Sequence, residues 1–166
     1  MPPLPTVWVF VRDMAVYILV EEVMFYFSHR ALHHPSLYGP IHKFHHKYTA
    51  PFGIAAIYAH PIEHLLSNVV PVSVGSLVMR SHPVLPMFWG VLALFNTMTV
   101  HSGYDFSHWG VFPAPYFHDW HHERFNENFG AIQVLDWLLG TSQQYLKAIR
   151  AGDVYIPRRD DASKSR

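Results

Sequence analysis

The motif HxxHH occurs twice, as HKFHH at residues 42–46 and as HDWHH at residues 118–122. A third cluster, HRALHH, occupies residues 29–34, so six of the eighteen residues from 29 to 46 are histidine. On a helix, positions i, i+3 and i+4 lie on one face. Each cluster is therefore expected to present two or three imidazoles to one point, and three converging faces supply about eight nitrogen ligands, more than one four-coordinate zinc accepts. The set suits two metals sharing a nitrogen-rich site. Imidazole serves zinc, copper, iron and nickel alike, so ligand type alone leaves the metal open. Packing offers no reason for two copies of HxxHH, and burying so many imidazoles without partners is costly. His82 and His108 stand apart from the clusters and read as ordinary core or surface residues.

The rest of the chain limits where such a site can sit. Its 166 residues suffice for one compact domain, with 50% hydrophobic, 16% aromatic and only 14% charged residues. That is greasy for a soluble protein of this size. The formal net charge is zero, so no basic field attracts nucleic acid. The absence of cysteine excludes disulfides, thiolate metal sites and cysteine nucleophiles. The start, MPPLP, lacks the basic region of a cleavable signal peptide, and Arg12, Asp13, Glu21 and Glu22 interrupt the apolar run after it.

Three apolar segments organise the chain. Pro5 or Thr6 is expected to start a helix running to about His34, where Pro35 follows. Its part from 7 to 28 measures ~33 Å, enough to cross a bilayer core. Arg12 and Asp13 are expected near one interface, while Glu21 and Glu22 must face protein or the metal end. Residues 62–79 and 84–100, separated by Arg80, Ser81, His82 and Pro83, read as a helical hairpin with Pro71 kinking its first arm. Together these predict an all-α, membrane-embedded helical bundle over residues 1–151, followed by a solvated tail at 152–166 that carries Arg158, Arg159, Lys164 and Arg166. By the positive-inside rule the tail and the histidine regions face the cytosol. The competing reading is a soluble bundle with two buried core helices.

The stretches HRALHH, LYGPIHKFHHKYTAPFG, YAHPIEH, HSGYDF and FHDWHH, in this order, resemble the fatty acid hydroxylase / sterol desaturase superfamily, and the text between them resembles its 4-methylsterol monooxygenase branch. The resemblance covers residues 21–145, and its motifs are highly specific. It implies a multi-pass, di-iron lipid oxygenase of the endoplasmic reticulum membrane. Such an enzyme uses O2 and electrons from NAD(P)H, delivered by cytochrome b5 or a reductase. Full-length members usually carry further N-terminal membrane helices, so the chain reads as a short member or a fragment.

The family's histidine motifs fall on His29 and His33, on His42, His45 and His46, and on His118, His121 and His122, which the resemblance makes the catalytic set. His34 takes the place of His33 in members with HxxxxH spacing; His33 is preferred. His101 and His60 match recurrent family histidines and join the ligand set, with Glu63 expected to orient His60. His64 is a candidate to lie outside the site. Asp105 is a candidate ligand or hydrogen-bond acceptor, and Asp119, Glu123 and Asp136 are supporting candidates. Phe112, Tyr116, Phe117, Trp120 and Phe125 are candidates to line a lipid route, with ordinary packing as the alternative. The expected substrate is a sterol oxidised at a 4-methyl group. Fatty acid or sphingolipid hydroxylation or desaturation is the alternative. A zinc-dependent membrane hydrolase and a catalytically silent scaffold are the rival classes. No HExxH is present, and a catalytic zinc needs only three protein ligands.

Overall fold

The computed structural model describes residues 3–107 and 113–154. His108, Phe112 and the tail's basic residues lie outside this range. Every regular element among the described residues is helical.

Helix α1 spans Val7–Leu32. Thr6 caps it, its Oγ1 accepting from the Val9 amide at 3.3 Å. It ends one residue before His33, whose amide still reaches the His29 carbonyl. The helix therefore stops two residues short of the expected end at His34, because His34 instead caps the next helix, α2, Pro35–Tyr38. A 3-10 turn, His42–Lys47, carries HKFHH, and a second one covers Gly53–Ile57.

Residues Pro61–Met79 form one helical rod in three registers. It comprises α3 at Pro61–Glu63, a π-helical segment at His64–Val69 and α4 at Val70–Met79. The Val70 amide reaches back to the Leu65 carbonyl, which is the wide i→i+5 bond. The irregularity that Pro71 imposes is thus a widened turn immediately before it. Arg80 closes α4 in a left-handed conformation (φ 50°), and α5, Val84–Val100, returns alongside. The C-terminal part holds α6 at Tyr116–Arg124, α7 at Val134–Leu139 and α8 at Gln143–Ala151.

Helix α1 is the spine. It packs on α4 so closely that a Cβ on Gly75 would lie 2.9 Å from Tyr17 Cδ1 and 3.0 Å from its Cα. Met14, Tyr17, Leu85 and Trp89 form the core there. Two of the acids of α1 are buried and partnered. Asp13, fully buried, accepts from Arg12 at 2.7 Å and from Ser81 Oγ at 2.6 Å. Glu22 accepts from the amides of Ala131, Ile132 and Leu135, each at 2.9 Å, and so ties the turn before α7 to the spine. Glu21 lines a cavity described below.

The outer faces are apolar. Trp8, Val11, Leu19 and Phe27 of α1, Leu65, Leu77 and Val78 of the rod, and Met87, Val91 and Phe95 of α5 are all exposed. Among the described residues the rod Pro61–Met79 is the one helix long and apolar enough to cross a membrane, and α5 is shorter.

Candidate metal centre

Nine imidazoles converge into two groups. His29, His33, His42, His46 and His121 form one; His45, His101, His118 and His122 form the other. Within each group the ligating atoms lie within 4.8 Å of one another. In the first, the Nε2 atoms of His33 and His42 are 2.8 Å apart, those of His42 and His46 3.0 Å, and those of His33 and His121 3.1 Å. In the second, His118 lies 2.9 Å from His101 and 3.1 Å from His122, and His101 lies 3.3 Å from His45.

The motifs do not each serve one point, as their spacing suggests; each HxxHH straddles both groups. His42 and His46 join the first while His45 joins the second, and His118 and His122 join the second while His121 joins the first. The rings at i and i+3 stack side by side, 5.6 Å apart in both motifs, with each facing its own group. On α6 the residues at i+3 and i+4 point ~100° apart, which separates the adjacent histidines. The two groups are thereby built into one another.

The other ring nitrogens determine the tautomers. Nδ1 of His29 donates to the Phe129 carbonyl at 2.8 Å, Nδ1 of His121 to Glu127 O at 2.7 Å, Nδ1 of His101 to Thr97 O at 2.7 Å and Nδ1 of His122 to Tyr48 O at 3.2 Å. His42 Nδ1 donates to Glu63 Oε1 at 2.8 Å. A carbonyl accepts only, so the rings of His29, His121, His101 and His122 carry their proton on Nδ1 and turn a lone pair, on Nε2, toward their group. His29 Nε2 is buried with no partner. Burial, reinforced by neighbouring imidazoles, holds the rings neutral. His33 and His42 are lowered to about 2, and His122, where the Tyr48 carbonyl opposes the shift, to about 3. Burial lowers His101 to about 4 against the Thr97 carbonyl, and His45, His46, His118 and His121 shift in the same direction.

Lone pairs facing one another at such separations repel unless a cation lies between them. Two imidazole nitrogens ~2.1 Å from one ion stand ~3.0 Å apart at a right angle and ~3.4 Å apart at a tetrahedral one. The observed separations, 2.8 to 3.3 Å, cluster about the right-angle value. The donor set thus fits a metal ion in each group.

The remaining candidates lie elsewhere. His34 is exposed, its Nδ1 accepting from the Ser36 amide at 3.3 Å. His60 accepts from the Ile62 amide at 3.2 Å, and His82 from the Val84 amide at 3.3 Å. All three precede proline and cap the turn that the proline starts. Glu63 holds His42 rather than His60, because His60 turns to its cap. His64 is exposed and lies outside both groups. Asp105 accepts from the Ser107 amide and from Tyr116 OH. Asp136 accepts from the amides of Phe129 and Gly130 and so fixes the carbonyl that holds His29. Glu123 is exposed and pairs with Arg124, and Asp119 is half-buried. Glu127, which no sequence motif marks, binds the amides of Gln144 and Tyr145 through its carboxylate while its carbonyl holds His121.

A cavity of 280 Å³ opens beside both groups. His29, His45, His101 and His118 form its floor, and Phe25, Val72, Ala93, Leu94 and Val100 belong to its apolar wall. Along α5 it extends from His101 to Gly90, ~16 Å at 1.5 Å per residue. Of the described candidate route aromatics only Phe117 lines it. Trp120 packs on Tyr145 and Phe125 on His46.

A helical scaffold that aims nine neutral histidines at two points beside a largely apolar cavity defines a histidine-rich class of protein whose two groups could each hold a metal ion. The profile of the fatty acid hydroxylase family matches residues 14–141, and the chain belongs to this family. It is 50% identical over 142 residues to human fatty acid hydroxylase domain-containing protein 2, covering 86% of this chain and 42% of that protein. It is 39% identical over 163 residues to methylsterol monooxygenase erg25B of Aspergillus fumigatus (90% and 55%). It is also 39% identical over 135 residues to methylsterol monooxygenase 1 of Danio rerio (78% and 46%). The chain spans about half the length of these curated relatives. No solved structure matches it.

Proposed function

We propose that this chain is the metal-bearing core of a membrane-embedded di-iron oxygenase that hydroxylates an unactivated C–H bond of a lipid. The observation that carries the reading is the pair of histidine groups forming the floor of one apolar cavity. In this reading His29, His33, His42, His46 and His121 hold one iron and His45, His101, His118 and His122 the other. Bound iron supplies the reduction of O2 and the oxidation of the C–H bond. One oxygen atom enters the lipid and the other leaves as water, with two electrons from NAD(P)H, through cytochrome b5 or a reductase, and two protons. The chain's own residues do the rest. The carbonyls of Phe129, Glu127, Thr97 and Tyr48 and the carboxylate of Glu63 orient the imidazoles, and the apolar wall excludes water and positions the chain or ring to be oxidised.

The methylsterol monooxygenases among the relatives support a sterol substrate, attacked at a 4-methyl group. The exposed apolar faces of α1, the rod and α5 support embedding in the endoplasmic reticulum membrane, with residues 1–151 as one domain and the tail and metal centre toward the cytosol. The test is turnover of a 4,4-dimethylsterol by iron-reconstituted protein in nanodiscs with NADH, cytochrome b5 and its reductase. Product that requires both O2 and NADH supports the reading. Hydrolysis of a lipid ester that needs neither O2 nor NADH favours a metal hydrolase, and failure on sterol, fatty acid, sphingolipid and ester substrates alike favours a silent scaffold.

A further inference from the structure

Besides Nε2 of His29 and Nδ1 of His45, the residues lining the cavity leave two polar atoms unsatisfied. Ser67 is 3% exposed and its Oγ has no hydrogen-bond partner. Glu63 is 4% exposed; its Oε1 accepts from His42 while its Oε2 has no partner. Both residues line the cavity. They lie four positions apart, across the junction from α3 into the π-helical segment His64–Val69, on one side of the rod. A serine in a regular helix can return its hydroxyl to the carbonyl one turn back, as Ser73 does to Val69 at 2.7 Å. Ser67, inside the widened turn, makes no such bond. Single π turns recur at functional sites because they re-aim one side chain. Buried polar atoms of this kind are costly, and natural folds rarely keep them without a use.

We propose that Glu63 Oε2 and Ser67 Oγ form a seat for an alcohol of the lipid substrate. The pair suits a hydroxyl in particular. The lipid O–H donates to the carboxylate oxygen, and the serine O–H donates to the lipid oxygen, so both atoms are satisfied at once. A ketone or ester oxygen could use the serine alone, and an alkyl chain neither. Since the same carboxylate holds His42, the seat lies at the metal end of the cavity. The oxidised carbon therefore lies a short way from the alcohol, and the remaining apolar body of the lipid extends along α5 toward Gly90. The seat rests on the lipid-oxygenase reading and adds to it the chemical feature by which the lipid is selected.

The test is equilibrium binding, under argon, of two labelled probes to the iron-loaded full chain in nanodiscs: a 4,4-dimethylsterol bearing a 3-hydroxyl and its 3-deoxy counterpart. The wild type is expected to bind the alcohol at least tenfold tighter, as sites built to hydrogen-bond a hydroxyl reject the analogue that lacks it. Ser67→Ala and, in parallel, Ser67→Cys are expected to lose most of that preference by weakening binding of the alcohol while leaving the deoxy probe unchanged. Ligand-free Ser67→Ala is expected to melt no lower than wild type, since it removes a buried hydroxyl that bonds to nothing; a purely structural serine would lower the Tm. Equal binding of the two probes by wild type overturns the seat and leaves the sterol reading standing. Full preference retained in the folded variants also overturns it. Binding of neither probe by wild type overturns the sterol reading and the seat with it.

Discussion

Replacing Glu22 by alanine removes the anchor of the turn that presents Phe129. In the wild type the Glu22 carboxylate accepts three backbone amides, from Ala131, Ile132 and Leu135, each at 2.9 Å. Hydrogen bonds to a charged group contribute ~1.5–3 kcal/mol each. Ile132 is exposed and Ala131 and Leu135 half-buried, so water can re-solvate part of what is lost. The net cost is therefore about 2–4 kcal/mol rather than the full sum, against the ~5–15 kcal/mol total stability of an ordinary domain. For a chain of this size it lowers Tm by roughly 5–15 °C. The loss is also transmitted to the metal centre. The Phe129 carbonyl holds His29 Nδ1 at 2.8 Å, and loosening a ligand's supporting bond typically costs ~10–100-fold in metal affinity. Differential scanning fluorimetry and a competitive chelator titration measure the two effects. Group one, which contains His29, should weaken while group two does not. A Glu22→Ala protein with wild-type Tm and a wild-type titration curve would refute the reasoning. Glu22→Gln, which keeps one acceptor oxygen, should fall between.

Three further outcomes follow from the same geometry. His34→Ala and His60→Ala should keep full metal content and lose only a cap, ~1 kcal/mol each, whereas His33→Ala should deplete group one; metal analysis of the three variants decides it. Gly130→Ala should destabilise by ~1–3 kcal/mol, because its Cβ would meet Asp136 Oδ2 and Glu22 Oε1 at 2.8 Å, and its Tm should fall accordingly. Acid should destabilise the metal-free protein. His33 and His42 at about 2, His122 at about 3 and His101 at about 4 stay neutral in the fold, while unfolded histidine takes a proton near 6.5. The unfolded state then binds more protons, so stability is independent of these groups above pH ~6.5 and falls below it by about 1.4 kcal/mol per pH unit per imidazole, down to each folded pKa. Denaturant midpoints of the chelated protein between pH 7.5 and 5 measure this slope.

Much of this architecture was legible from residue spacing. The third apolar run, residues 84–100, coincides with α5, and Thr6 and Pro35 mark the region where α1 starts and stops. The histidines of HDWHH could be placed on an α-helix, whereas HKFHH lies on a tighter 3-10 turn, and the need of Glu22 for a protein partner followed from its position in an apolar run. The sharing of the motifs between groups was not legible, because it depends on how the 3-10 turn His42–Lys47 and α6 face each other across the chain. Nor were the acceptors that orient the rings, since four of the five are backbone carbonyls, which carry no side-chain signature. One signal was available. His34, His60 and His82 each precede proline, and a histidine before a proline at a helix start is placed to cap it. That rule sets His34 and His60 apart from both groups, agrees with the ordinary reading of His82, and leaves His33 as the neighbour of the pair that faces group one.

The central claim is that two metals occupy two separable histidine groups. Metal analysis of detergent-purified, iron-reconstituted protein tests it most directly when wild type is run beside His42→Ala, from group one, and His118→Ala, from group two. The account predicts two irons per chain in wild type and one in each variant, with X-ray absorption reporting a nitrogen-dominated environment. Well-folded wild-type protein that retains no stoichiometric metal, or loses both ions or neither in the two variants alike, would contradict it.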